Sequence, residues 1–212
     1  MIILVGAQKG GVGKTTIATN IAASLANLDK DVILVDADKQ ASASNWYLDR
    51  SENSELKQVQ SVQKSDSLKA SLIDLGKRYE YVIVDVAGRD SKEFRSAMLA
   101  ADILIMPTRC SQLDLETVPY VLDVYNEAVD INPGLKMFAV MSIAPTNPVI
   151  KEVDEAKEIF KEIGEIKLLN TIIRDRKVYR DAMSGIGKGV CELDNAKAKT
   201  EINDLIKEAG LV

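Results

Sequence analysis

Short β-branched apolar runs alternate along this chain with longer segments whose apolar positions recur at helical spacing. "MIILV" (1–5) and "DVILVD" (31–36) are too short for helices, and such continuous apolar runs suit strands buried on both faces of a parallel sheet. Between them, "KTTIATNIAASLANL" (14–28) predicts a helix. The same alternation predicts strands at 81–86, 102–107, 136–143 and 166–173, and helices at 116–129, 149–163 and 194–209. The polar segment 51–66, "SENSELKQVQSVQKSD", reads as a surface excursion holding a short edge strand. Strand and helix in this order predict an α/β fold: a doubly wound, mainly parallel sheet flanked by helices. With no internal repeat or Pro-rich linker, the 212 residues are expected to form a single domain, 1–212, without a separate N-terminal helix-turn-helix.

Charge and composition narrow the chemistry. The chain carries a net charge of -5, which argues against a surface coated in positive charge for nucleic acid, though not against a local basic patch. It has no histidine, so imidazole acid-base chemistry, His-based triads and histidine zinc sites are excluded. Cys110 and Cys191 lie far apart with no C-x-x-C pair, and are expected to be packed bystanders. No stretch approaches the roughly 18–20 uncharged residues a bilayer requires, so a cytoplasmic protein is expected.

The chemistry concentrates in "GAQKGGVGKTT" (6–16), a glycine-rich turn between a predicted strand and a predicted helix. Such a turn lets backbone N–H groups converge on an anion, and the helix N-terminus adds partial positive charge. Gly10, Gly11, Val12, Gly13, Lys14, Thr15 and Thr16 are therefore the expected phosphate cradle. Lys14 would reach the β- and γ-phosphates, and the Thr15 hydroxyl would ligate Mg²⁺. The general phosphate-loop pattern begins with glycine where this chain has Gln8, and it has no need of Lys9.

Both departures are accounted for by a resemblance. "KGGVGKTT" is similar to the deviant Walker A motif of the ParA/MinD ATPases, which accept a non-glycine at the Gln8 position. In that family the early lysine crosses a dimer interface to the partner's nucleotide, which implies the same for Lys9. ATP rather than GTP is likewise implied by the resemblance, and no guanine-reading N-K-x-D follows the strands.

Acidic residues end two of the predicted strands. In "VILVDADKQ" (32–40), Asp36 and Asp38 fall on one side by the strand's period of two, where they can hold Mg²⁺ waters or orient an attacking water. One of the two acids could instead serve as a helix cap. The stretch resembles the family's D-x-D-P-Q element, which implies a catalytic role for Asp38 and a metal-shell role for Asp36. Lys39 stands in place of the proline. "YVIVDVAGRD" resembles a Walker B strand, with Asp85 supporting Mg²⁺ and Gly88 freeing the following loop to respond to the γ-phosphate.

Residues 174–188 carry Arg174, Arg176, Lys177, Arg180 and Lys188 against Asp175 and Asp181. The block is similar to the region that faces DNA in nucleotide-bound ParA dimers, which implies nonspecific phosphate contact. In the last predicted helix, Ile202, Leu205 and Ile206 sit at i, i+3, i+4 among acidic residues, and are expected to dock on the domain rather than on a membrane. Base contacts are implied in "APTNP" (144–148) and near "NTIIRDR" (170–176). The whole resembles the short plasmid-type ParA (ParF-like) partition proteins. It implies an ATP-dependent homodimer that binds nonspecific DNA at the nucleoid, is reset by hydrolysis, and engages a small ParB/ParG-like centromere-binding adaptor. A MinD-like membrane-associated ATPase and a VirC-like cargo-positioning factor are the alternatives.

Overall fold

The computed structural model describes residues 1–147 and 149–212. Its strands are β1 (Ile2–Val5), β2 (Val32–Ala37), β3 (Gln60–Gln63), β4 (Tyr81–Val86), β5 (Ile103–Thr108), β6 (Lys136–Ala144) and β7 (Lys167–Arg174). They form one sheet in the order β3-β2-β4-β1-β5-β6-β7, with every pairing parallel. The helices are α1 (Lys14–Asn27), α2 (Ser42–Ser51), α3 (Lys69–Arg78), α4 (Lys92–Met98), α5 (Gln112–Leu115), α6 (Val118–Val129), α7 (Glu152–Ile163), α8 (Lys177–Ala182) and α9 (Ala196–Glu208). The expected doubly wound α/β sheet is therefore present, and the polar excursion does contribute a short edge strand, β3.

Alternating strand residues feed two cores. Ile2, Leu4, Val82 and Val84 face one side with Leu72 of α3, Phe94 of α4, Val121 of α6 and Phe160 of α7. Ile3, Val5, Tyr81 and Ile83 face the other, with Ile17 and Ile21 of α1, Trp46 of α2 and Leu205 of α9. Burial on both faces explains why the central strands read as continuous apolar runs. The stripe Ile202, Leu205 and Ile206 is buried in this second core, so α9 docks on the domain as expected. Among the described residues, no helix is long and apolar enough to cross a membrane.

The helix expected from residue 116 begins instead at Val118, after the separate short α5. Pro119 sits in its first turn, the one part of a helix where a missing N–H costs nothing, so the helix starts there. The helix expected from residue 149 begins at Glu152.

Two polar arrangements brace the second core. Arg50 of α2 is fully buried and bonds Glu192 through two nitrogens (2.7 and 2.9 Å), with the carbonyls of Lys57 and Gly187 taking its remaining donors. At the sheet edge, β7 advances from Leu168 to Ile172 while β6 advances only from Ala139 to Met141. Glu208 of α9 accepts the N–H groups of Asn170 (2.7 Å) and Thr171 (2.9 Å) in this bulge. Glu201 accepts that of Arg174 (3.3 Å).

A candidate nucleotide site

Strand β1 lies at the point where the sheet order reverses, with β4 on one side and β5 on the other. Open parallel sheets form a crevice at the carboxyl ends of such strands. The loop from Gly6 to Gly13 fills that position and leads directly into α1. Gly11 (φ 69°) and Gly13 (φ 84°) are left-handed, a backbone conformation that side chains with a Cβ adopt at a cost. Gly13 caps α1 without a side-chain hydrogen bond, leaving the helix's first N–H groups available to an anion.

The loop is held from outside. Arg109, just after β5, donates to the Gly11 carbonyl (2.6 Å), and the Ser142 hydroxyl donates to that of buried Val12 (2.7 Å). Inside, the buried Lys14 ammonium donates to the carbonyl of Lys9 (2.9 Å). Burial lowers the Lys14 pKa, against the pull of Asp85 and Asp38. Lys9 thus lends its backbone to its neighbour, while its half-buried side chain makes no ion pair among the described residues.

Asp85, next to last in β4, is fully buried, and Thr15 donates its hydroxyl to one carboxylate oxygen (2.7 Å). Burial raises its pKa to about 7; the Thr15 hydroxyl opposes that rise and the Asp36 charge adds to it. The other oxygen, Oδ1, is buried without a hydrogen-bond partner. An orphaned carboxylate oxygen beside a threonine hydroxyl fits a divalent cation. No cluster of three or more acidic, cysteine or histidine side chains forms a metal cage among the described residues.

Asp36 and Asp38 differ in their surroundings. The carboxylate of buried Asp36 accepts the N–H of Asp38 (3.1 Å), the N–H of Ser44 (2.7 Å) and the Ser44 hydroxyl (2.8 Å). It thereby caps α2, whose own N-cap residue, Ala41, has no side-chain acceptor to offer. Both Asp36 oxygens are engaged within the fold. Asp38 instead lines the open cleft, with one oxygen accepting the Gln40 N–H (3.0 Å).

Two cavities meet over the loop. The first, about 660 Å³, is polar and bounded by the glycines of the loop, Lys14, Thr15, Asp38, Lys39, Gly88 and Arg89. The second, about 470 Å³, is largely apolar, with Ile17, Ile143, Ile173, Tyr179 and Met183 in its wall. They share Gly13, Thr16 and Ile143, so an apolar recess opens directly onto the phosphate cradle. Pro145 accepts a bond from Arg174. Of the predicted base-contact stretch 144–148, Pro148 lies outside the described residues.

The five basic residues expected to form one nucleic-acid face divide. Arg174, Arg176 and Arg180 line the apolar recess. Arg176 is half-buried and holds Glu201 through two nitrogens (2.9 and 2.7 Å), and the Tyr179 hydroxyl donates to the same carboxylate (2.9 Å). Lys177 and Arg180 are exposed, paired with Asp181 and Asp175 respectively. Lys188 is half-buried, and its carbonyl accepts the Trp46 indole N–H (3.0 Å).

Sequence reasoning missed Arg109, Ser142, Ile143 and Glu201. Arg109 follows a predicted strand at the carboxyl edge beside β1, which is a readable signal. Ile143 has φ 52° inside a predicted strand, and Glu201 comes from a helix distant in sequence; neither carried one. Burial pushes the Cys110 thiol up to about 11, and burial raises that of Cys191 as well.

A strand, a glycine-rich anion cradle, a lysine, and a threonine paired with a buried aspartate together define a P-loop nucleotide-binding protein. Residues 3–188 match the CobQ/CobB/MinD/ParA nucleotide binding domain, and the chain belongs to that family. It is similar to the maintenance of carboxysome distribution protein A of Gloeobacter kilaueensis, with 34% identity over 180 residues, 84% of this chain and 79% of that protein. It is similar also to the chromosome partitioning protein ParA of Myxococcus xanthus, with 26% identity over 237 aligned residues, 91% of this chain and 81% of that one. The fold is shared with the septum site-determining protein MinD of Pyrococcus horikoshii, solved with Mg-ADP. There the TM-score is 0.76 at 19% identity, covering 99% of this chain and 96% of that chain.

Proposed function

We propose that this protein is a Mg²⁺-dependent ATPase of ParA type that segregates DNA. Its 212 residues act as a single ATPase domain; ATP closes two subunits into a homodimer, the dimer binds DNA nonspecifically, and hydrolysis separates them. The observation that carries this reading is the division of labour between two lysines. Lys14 is buried and anchored for its own nucleotide, while the half-buried Lys9 side chain makes no ion pair among the described residues and lines a separate recess with Asp114 and Thr117 rather than the cleft that holds Lys14.

The chemistry asked of the chain is mainly positioning and charge neutralisation, which needs no histidine. The loop amides and Lys14 hold the phosphates; Thr15 and Asp85 hold Mg²⁺, which would neutralise phosphate charge when bound. Asp38 lines the cleft with one carboxylate oxygen turned to Gln40, and orients water for attack. The adenine base occupies the apolar recess. Of the five basic residues of 174–188, exposed Lys177 and Arg180 meet DNA, because their surface ion pairs are weak, while Arg174 and Arg176 stay with the recess. Burial of the α9 stripe favours DNA over a membrane as the surface on which the dimer is held. A small centromere-binding adaptor links the dimer to cargo.

The relative named for carboxysome distribution favours a second reading with the same cycle and a different cargo. Binding of a purified adaptor to a defined DNA sequence supports segregation; an adaptor that binds a protein body instead supports the second reading.

The central test combines light scattering with salt-dependent duplex-DNA binding in ADP, in ATP, and in ATP with Lys9→Ala. ATP is expected to double the mass and switch on DNA binding, and Lys9→Ala to lose both. A chain that stays monomeric and ignores DNA while binding ATP refutes the cycle.

A further inference from the structure

Three side-chain cations line the polar cleft: Lys14, Lys39 and Arg89. Lys14 is fixed on the Lys9 carbonyl. Lys39 lies within range of Glu93, whose carboxyl resists the upward push of burial through backbone N–H groups, the Ser91 hydroxyl and the Lys39 charge. Arg89 differs from both: it is exposed, and its guanidinium makes no hydrogen bond or ion pair among the described residues.

Its adjacent acid is unavailable to it. Asp90 is held by Arg95 through Nε (2.8 Å) and Nη2 (2.9 Å), and the Tyr120 hydroxyl of α6 donates to it as well (2.6 Å). Arg95 also reaches Glu127 of α6 (2.6 Å), so the loop after β4 is pinned to α4 and α6 at Asp90. One residue before Arg89, the Gly88 backbone abuts the cradle: a Cβ there would lie 2.4 Å from the Lys9 carbonyl oxygen and 2.6 Å from the Lys14 ammonium. Arg89 therefore leaves the backbone beside the lysine expected to meet the outer phosphates.

We propose that Arg89 contacts the terminal phosphate of a bound nucleoside triphosphate, and that the Asp90–Arg95–Tyr120 cluster keeps its guanidinium available by occupying the neighbouring acid. The inference rests on the nucleotide-site reading above and adds to it a residue that separates triphosphate from diphosphate. An arginine suits the task, because its planar fork bonds phosphate oxygens in pairs.

The test is calorimetric binding of Mg-AMPPNP and Mg-ADP to wild type, Arg89→Ala, Arg89→Lys and Tyr120→Phe. Each is measured also in the Lys9→Ala chain, so that subunit pairing cannot supply the difference. Arg89→Ala is expected to weaken AMPPNP binding about tenfold, the scale of one charge-assisted hydrogen bond, with ADP binding unchanged. Arg89→Lys should recover part of that loss, and Tyr120→Phe should show a smaller loss confined to AMPPNP. Equal losses for both nucleotides, or no loss for either, overturn the assignment while leaving the nucleotide site intact. Failure of wild type to bind either nucleotide overturns both.

Discussion

Gly88→Ala adds one methyl group where the structure has no room. The new Cβ would lie 2.4 Å from the Lys9 carbonyl oxygen, 2.6 Å from the Gly10 nitrogen and 2.6 Å from the Lys14 ammonium. The ammonium ends a flexible side chain and can swing aside; the other two atoms are backbone. Ordinary contact begins at 3.4 Å, so the cradle or the loop after β4 must retreat by about 1 Å, the difference between 3.4 and 2.4 Å. Overpacking of this kind costs about 1–3 kcal/mol of stability. The displaced carbonyl is the one that anchors Lys14, so the phosphate site is misplaced as well, and an error of about 1 Å in such a site can cost about 100-fold in rate. Phosphate release and Mg-AMPPNP calorimetry would read the functional loss, and urea melts the structural one. Gly134→Ala is the control, since its Cβ would meet only Asn132 Oδ1 at 3.8 Å. Gly88→Ala that melts, binds and turns over like wild type would refute the packing argument.

Three further outcomes follow from the same geometry. Asp85 is raised from 3.8 to about 7, chiefly by burial, so its contribution to stability is full below its unfolded value and lost as pH rises through about 7. Asp85→Asn should therefore gain stability relative to wild type as pH rises from about 4 to about 7, and a pH-independent difference in urea melts would contradict this. Glu192→Gln strands the charge of fully buried Arg50 and should cost about 3–5 kcal/mol by the same melts; a cost below about 1 kcal/mol would show that the carbonyls of Lys57 and Gly187 suffice. Glu201→Gln loosens Arg176 and Tyr179 in the wall of the apolar recess, and should weaken ATP and ADP equally, by about three- to tenfold. Loss for ATP alone would place Glu201 with the phosphates instead.

Legibility in the sequence followed the range of the interactions. The alternation of strands and helices, the cradle and the Asp85 strand are local patterns, each written in a short run of residues whose periodicity or glycine content has one physical outcome. The edge strand β3 was readable from its polar excursion but not from apolar periodicity, because an exposed strand keeps few apolar residues to mark its bounds. Asp36 could be read as a metal-shell acid or as a cap, and only the fold brings it to the N–H of Ser44, eight residues on. The basic block was legible as composition but not as a surface, since the acids that pair Arg176 and Arg180 come from α9 and from the preceding turn. Glu201 meets Arg176 across 25 residues, a distance no periodicity spans.

The bulge in β7 gives the last helix a second function besides covering apolar side chains. Glu208 and Glu201 receive three outward-facing N–H groups of an edge strand, donors that would otherwise invite a strand from another molecule. Against the upward push of burial, these same bonds hold the Glu208 carboxyl below its usual range, so the seal is ionic as well as directional. A chain cut before Glu201 would thus lose more than packing. It would acquire an open strand edge, a template for pairing with another chain.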